Sequence, residues 1–209
     1  MKSATRVTLL TFGVLMGLAG VEHGIGEILQ GSIAPSGLIF PSWPGSAFFS
    51  IVGGEPAMTI VPNLLVTGIL AILFSSAFAV WACLFAARKN AARVLILLSG
   101  AMLLVGGGIF PPIIGFMLGI LATRINAPFK WRRAHSSATL WHLPANIWPW
   151  AFGVCVIAWL LLFPGINILG YFFGVNNPPY TVMVILFALA ALLVTVVTGF
   201  AQDIERMEK

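Results

Sequence analysis

The sequence predicts an all-α, polytopic integral membrane protein. Of its 209 residues, 59% are hydrophobic and 8% are charged, whereas soluble proteins carry roughly 25% charged residues. Apolar stretches of helical length recur along the chain, and none of the polar segments between them is long enough to form a soluble domain. We therefore expect a single transmembrane domain over residues 1–209, inserted as a multi-pass protein in the cell membrane.

The basic residues fit the same class of protein. The net charge is +5, but Lys and Arg lie in short clusters at the ends of the apolar stretches. This distribution is typical of the positive-inside rule and of contact with anionic lipids, so nucleic acid is not an expected partner. Cys83 and Cys155 lie inside apolar stretches and form no C-x-x-C motif, which indicates packing rather than thiol chemistry.

The first apolar stretch, Val7 to Leu29, is long enough to span a membrane as a helix of about 23 residues. It continues beyond the point where a secretory signal would be cleaved, so we expect it to be retained. Four glycines share one stripe of this helix, where another helix of the chain, a second copy or another membrane protein can approach closely. These are Gly13, Gly17, Gly20 and Gly24.

The second apolar stretch follows a loop, 31–57, that contains no basic residue. Glu55 before Pro56 predicts the start of a helix, because acids and proline are common in a first helical turn. Pro62 and Asn63 then mark either a kink in that helix or its true start.

The region Val94 to Thr123 can form one long kinked helix, or two short helices that turn at Gly106 to Pro112. With one helix, the 11 basic residues are divided almost equally between the two sides of the membrane; with two, all lie on the side of the N-terminus. The positive-inside rule therefore selects two helices. Each reaches only roughly 20 Å, so they are either short spans or a re-entrant pair.

Two further apolar stretches, 148–163 and 181–202, complete six predicted spans, arranged as three hairpins with both termini in the cytoplasm. The loop 126–146 before them mixes basic and aromatic residues and is expected at the inner interface. Anionic lipid headgroups are the expected partners of one basic residue just before this loop and three within it. They are Arg124, Lys130, Arg132 and Arg133.

The first span differs from the others because it contains Glu22, His23 and Glu27. At helical spacing His23 and Glu27 are neighbours, whereas Glu22 points to nearly the opposite side. The predicted topology places Glu22 and His23 in the outer leaflet and Glu55 in the outer loop. Because buried charge costs several kcal/mol without a partner, these residues are candidates for binding a ligand or proton. Asn63 joins them, since transporters bind substrates at breaks in helices.

A metal or other cofactor is not predicted. A metal site needs three or four ligands, and only His23 and Glu27 supply two at the proper i, i+4 spacing. Glu55 in the outer loop is the only outward acid left besides Glu22, so His23, Glu27 and Glu55 are only weak candidates for metal ligands. The remaining histidines, His135 and His142, belong to the predicted inner interface, too far from His23 for a haem with two histidine ligands.

The leading functional hypothesis is binding or transport of a small cation, a proton or an amphipathic solute through an outward-facing Glu/His pocket. His23 would make such a protein sensitive to pH. A structural interpretation also fits, in which His23 and Glu27 fasten the first helix to its neighbour.

Two other classes stay open. The glycine stripe fits a non-catalytic subunit or oligomeric scaffold of a membrane complex. An enzyme acting on lipid or quinone would use Glu22 or Glu27 as acid or base. The spans lack the lysine of a retinal Schiff base, and no intramembrane histidine matches the depth of their serines, so a non-enzymatic role is favoured.

Overall fold

The computed structural model describes residues 3–125, 139–175 and 177–206. In these ranges the chain is mainly helical and contains one small β-ribbon. The helices are α1 (Ala4–Gln30), α2 (Leu64–Leu84), α3 (Ala91–Leu104), α4 (Phe110–Ile125), α5 (Thr139–Leu160), α6 (Ile166–Phe173) and α7 (Pro178–Arg206). The strands are β1 (Ile39–Pro41) and β2 (Pro56–Met58), with a 3-10 turn at Ser50–Val52 between them and a π-helical turn at Leu161–Gly165 between α5 and α6.

Four helical stretches of the described chain are long and apolar enough to cross a membrane. They are Ala4–Gln30, Leu64–Leu84, Pro144–Phe173 and Pro179–Arg206. Helices α3 and α4 are apolar but shorter. The prediction of a helical protein with segments able to span a membrane is thus confirmed, whereas the six spans, their topology and their three hairpins stay a prediction.

The region Val94 to Thr123 forms two helices, as the distribution of basic residues predicted. Helix α3 ends at Leu104 and α4 begins at Phe110. In the turn between them Gly106 and Gly108 have φ angles of +90° and +81°, which glycine adopts far more readily than other residues. The backbone also leaves the helical conformation at Phe163, next to Pro164.

The start of α2 differs from one of the predictions and decides between two others. Asn63 is the N-cap of α2, and its Oδ1 accepts a hydrogen bond from Val66 N at 3.2 Å, so Pro62 and Asn63 mark a helix start rather than a kink. The predicted helix start at Glu55 and Pro56 is wrong. Pro56 instead begins β2, which pairs antiparallel with β1; in this two-stranded ribbon each strand has a free edge, where proline is tolerated.

The chain divides into two compact units, one of residues Leu9–Arg124 and one of Met1–Thr8 with Ile125–Lys209. In the unit Leu9–Arg124 the glycine stripe of α1 packs on α2. A Cβ atom added at Gly17 would lie 2.6 Å from Ala79 Cβ and 2.9 Å from Ser75 O. The face predicted to accept a neighbouring helix is therefore occupied by a helix of the same chain.

In the other unit, helices α5 and α7 are joined by side chains that bond to backbone carbonyls. Trp159 Nε1 donates to Ala188 O at 3.1 Å. Thr195 Oγ1 lies 3.0 Å from Ala151 O. Such polar contacts hold two apolar helices in register.

Asp203 of α7 caps the N-terminus of α1. Its carboxylate accepts hydrogen bonds from Ser3 Oγ at 2.5 Å, Ala4 N at 2.6 Å and Thr5 N at 3.0 Å. Backbone N–H groups at the start of a helix have no partner within the helix, and an anion there also interacts favourably with the helix dipole. Ser3 Oγ also accepts a hydrogen bond from Arg6 N at 3.3 Å, so a residue about 200 positions away in sequence adds to a local N-cap.

We expect Asp203→Ala to lower the free energy of unfolding by about 1–2 kcal/mol, the usual cost of removing a helix cap. Asp203→Asn keeps one acceptor oxygen, so its free energy of unfolding should fall by less. Thermal unfolding of the purified protein in detergent, followed by circular dichroism, measures both changes. An Asp203→Ala protein that unfolds at the wild-type temperature would show that the cap contributes nothing.

Candidate functional site

The loop after α1 brings a serine against the helix. A Cβ atom added at Gly26 would lie 2.5 Å from Ser42 O and 2.7 Å from the ring of Trp43, so only glycine lets the loop backbone approach this closely. Gln30 Nε2 then donates to Ser42 O at 2.9 Å. Together these contacts fix Ser42 beside α1.

Ser42 connects two of the predicted site residues. Its Oγ lies 3.0 Å from His23 Nδ1 and donates a hydrogen bond to Glu27 Oε1 at 3.3 Å. On the other side of the imidazole, Nε2 lies 3.9 Å from Glu55 Oε2. Glu27, Ser42, His23 and Glu55 thus follow one another as a continuous series of polar side chains, which we call the polar row.

The polar row is buried. The exposed fractions are 0% for Glu27, 0% for Ser42, 3% for His23 and 5% for Glu55. Among the described residues, Oε2 of Glu27 finds no hydrogen-bond partner. An ionised carboxylate in such a place costs several kcal/mol, so this arrangement is suited to hold a proton or a cation at Glu27.

The turn between α3 and α4 covers the polar row with backbone. A Cβ atom added at Gly108 would lie 2.5 Å from His23 Nε2. At Gly106 it would overlap both carboxyl oxygens of Glu27 and lie 2.5 Å from Thr67 Cγ2. The space over His23 and Glu27 therefore has no room for a methyl group at either glycine.

Backbone hydrogen bonds hold this turn to the end of β2 and to the segment that follows it. Gly106 N donates to Met58 O at 2.9 Å, and Ile60 N donates to Leu104 O at 3.0 Å. These bonds do not depend on any side chain. The turn is therefore fixed over the row independently of the ionisable groups beneath it.

Glu55 reaches the row from a left-handed backbone conformation. Its φ angle is +57°, and the preceding Gly53 and Gly54 also have positive φ angles, +68° and +80°. A residue other than glycine pays roughly 1–2 kcal/mol for this conformation. Strain of this kind persists where surrounding contacts enforce it and is common at functional sites.

Glu22 lies at the edge of the row rather than away from it. The helical spacing placed it nearly opposite His23, but it is only half-buried and lies close enough to Glu55 and to Glu27 for their charges to interact. The reason is that the loop after α1 brings Glu55 close to His23 and within range of the charge of Glu22. His23 and Glu27, expected to pair directly, meet through Ser42.

Asn63, the fifth predicted site residue, has a different role. Its side chain caps α2 and donates to Ser32 Oγ at 2.8 Å. Neither bond involves the polar row. The step at Pro62 and Asn63, which made Asn63 a candidate, is the start of α2 and not an interruption within a helix.

Sequence reasoning missed Ser42, although one signal pointed towards it. Gly24 and Gly26 are about 200° apart around a helix, so they cannot accommodate the same neighbour. Gly24 faces α2, where an added Cβ would lie 2.7 Å from Gly68 O. Gly26 therefore indicated a second close backbone approach, but nothing in the sequence identifies Ser42 as the residue that makes it.

The residues predicted to bind a metal or to lie at the inner interface belong only in part to the described ranges. Within residues 3–125, 139–175 and 177–206, no group of three His, Cys, Asp or Glu side chains is arranged to hold a metal ion. Arg124 is exposed at the end of α4, and His142 belongs to α5. The other residues predicted at the inner interface lie outside the described ranges, namely Lys130, Arg132, Arg133 and His135.

No protein-family model, curated protein or solved structure matches the chain. The fold and the site define a helical protein with stretches able to cross a membrane and a buried row of acids, serine and histidine. The chemistry of that row is the basis for a functional assignment.

Proposed function

We propose that the protein binds or transports a small cation, with the proton as the foremost candidate, at a pocket formed by Glu22, His23, Glu27 and Glu55. The observation that carries this proposal is the carboxyl group of Glu27, which is fully buried and has one oxygen without a hydrogen-bond partner among the described residues. Such a group is stabilised by binding a proton or a cation.

The composition of the pocket supports a positively charged ligand. Three carboxyl groups lie around a single histidine, and buried charges are compatible with folding when opposite charge is supplied. The glycine turn supports a ligand of very small size, because the contacts at Gly106 and Gly108 leave no space for a methyl group. A proton or a small ion therefore fits better than an amphipathic solute or an acyl chain.

The proposal includes the topology predicted from charge. In the cell membrane the chain would cross six times with both termini in the cytoplasm, α3 and α4 forming the short pair. The polar row would then lie towards the outer leaflet. The basic residues at the inner face, Arg124, Lys130, Arg132 and Arg133, would contact anionic headgroups.

We expect Glu27→Gln and His23→Ala to reduce proton uptake by at least about tenfold, the effect typical of losing more than 1.4 kcal/mol of binding free energy. Uptake is measured in proteoliposomes with a pH-sensitive dye sealed inside, under an imposed membrane potential. Binding of Na⁺ and K⁺ to the detergent-solubilised protein is measured in parallel by calorimetry.

Glu205→Gln is the matched control, since it removes one acid from α7 outside the polar row and should leave uptake and binding unchanged. If Glu27→Gln and His23→Ala both behave like wild type in both assays, the proposed function is wrong.

A further inference from the structure

We propose that the polar row is a proton wire, in which the hydroxyl of Ser42 passes a proton between His23 and Glu27. This inference rests on the proposed function and specifies the proton as the species that the site handles. It assigns a positioning and transfer role to Ser42, a buried residue whose hydroxyl lies 3.0 Å from His23 Nδ1 and 3.3 Å from Glu27 Oε1.

The hydrogen-bond directions define the starting state. A serine hydroxyl has one hydrogen, and here it is donated to Glu27 Oε1. Ser42 must then accept from the imidazole, so His23 carries its hydrogen on Nδ1. The lone pair of Nε2 is thereby left facing Glu55 at 3.9 Å.

A proton that arrives at Nε2 converts this state into a second one. As the new Nε2–H bond forms, the Nδ1–H bond breaks and its proton passes to Ser42 Oγ. Ser42 in turn releases its original hydrogen to Glu27 Oε1. Together with the O–H bond of Glu55, from which this proton comes, three bonds to hydrogen break and three form. One proton has then moved along the row from Glu55 to Glu27, while His23 and Ser42 are neutral before and after.

The second state keeps the two hydrogen bonds of Ser42, to Glu27 and to His23, with their directions reversed. Glu27 now donates to Ser42, and Ser42 donates to His23 Nδ1. The imidazole presents an N–H to Glu55. From His23 Nδ1 to Glu27, both states therefore use the heavy-atom positions that the structure shows. Transfer from Glu55 to Nε2, whose nearest atoms are 3.9 Å apart, also requires these two groups to approach to hydrogen-bond distance.

The charged groups around His23 favour passage of a positive charge. Glu55 faces Nε2, Glu27 faces the imidazole through Ser42, and Glu22 lies close enough to both carboxyl groups to interact with them. A transient imidazolium is stabilised by nearby carboxylates. Glu55 is the group from which Nε2 receives the proton, because it is the carboxyl directly opposite that atom.

Ser42→Ala tests the wire because it removes the hydroxyl and changes the volume of the side chain little. We expect proton uptake in proteoliposomes to fall by about a hundredfold, as for loss of a positioned proton-transfer group. Ser42→Thr retains a hydroxyl and should restore uptake to near the wild-type rate. Thermal unfolding of both variants monitors the fold.

Infrared difference spectroscopy gives a second readout that a merely structural role would not change. A drop in pH should produce a protonated carboxyl band that is absent in Glu27→Gln. In Ser42→Ala this band should appear much more slowly after the drop, and in Ser42→Thr at the normal rate.

The outcomes separate the wire from the proposed function. If wild type takes up protons and Ser42→Ala takes them up at the same rate, the wire is wrong and the proposed function still stands. Binding of Na⁺ or K⁺ that depends on Glu27, without proton uptake, also overturns the wire alone. If wild type neither takes up protons nor binds either ion, both proposals are wrong. Loss of proton uptake in Ser42→Ala, together with near-normal uptake in Ser42→Thr, supports both the wire and the proposed function.

Discussion

Replacing Gly24 with leucine is expected to prevent stable packing of α1 on α2. A Cβ atom at Gly24 would lie 2.7 Å from Gly68 O and 3.1 Å from Ala71 Cβ, and a Cβ atom at Gly68 would lie 2.5 Å from Gly24 O. Since these contacts involve the backbones of both helices, a larger side chain fits only if the helices separate. We expect a loss of about 3 kcal/mol in the free energy of unfolding, towards the upper end for overpacked positions.

Gly153→Leu is the matched control for this substitution. Gly153 also lies within a helix, α5, but a Cβ atom there would meet nothing within 4 Å. Leucine has a higher helix propensity than glycine, so this variant should be neutral or more stable by up to about 1 kcal/mol. Thermal unfolding in detergent compares the two. Equal unfolding temperatures would mean that the crossing of α1 and α2 is looser than the structure indicates.

Replacing Gly106 with alanine should damage both the fold and the site. The φ angle of +90° disfavours alanine, at a cost of roughly 1–2 kcal/mol. The added methyl group would also overlap the Glu27 carboxyl group and lie 2.5 Å from Thr67 Cγ2, at a cost of roughly 1–3 kcal/mol. We therefore expect a total loss of about 3 kcal/mol, measured by thermal unfolding, together with loss of proton uptake.

Gly53→Ala separates these two effects. Gly53 has a φ angle of +68°, but a Cβ atom there would meet nothing within 4 Å. It should therefore lose only the roughly 1–2 kcal/mol that the left-handed backbone costs. If Gly53→Ala and Gly106→Ala lower the free energy of unfolding by the same amount, the turn does not contact Glu27 as closely as described.

The helices were largely predictable because apolar length and charge are read directly from sequence. The first span was predicted from Val7 to Leu29, and α1 runs from Ala4 to Gln30. The turn in the Val94 to Thr123 region followed from the distribution of basic residues, and the two glycines with positive φ angles lie within the predicted motif. The length of an apolar stretch is a local property of the sequence, and the distribution of basic residues needs only a count along the chain.

The β-ribbon and the completed site were not predictable in the same way. An acid followed by proline begins a helix in many proteins, yet the same pair fits the free edge of a strand, and the choice was made by pairing with β1. Ser42 lies in a loop rich in proline and is important only because Gly26 and Gln30 hold it against α1. Such tertiary contacts leave little trace in one sequence.

The two partners of His23 belong to one backbone ladder. Ser42 N donates to Glu55 O at 2.9 Å, which continues the ribbon one step beyond the paired Pro41 and Pro56. The hydroxyl on one side of the imidazole and the carboxyl on the other are therefore held at a separation that the main chain determines. A local opening of this step would withdraw both groups together, so the connection through His23 would be broken as a whole rather than weakened by degrees.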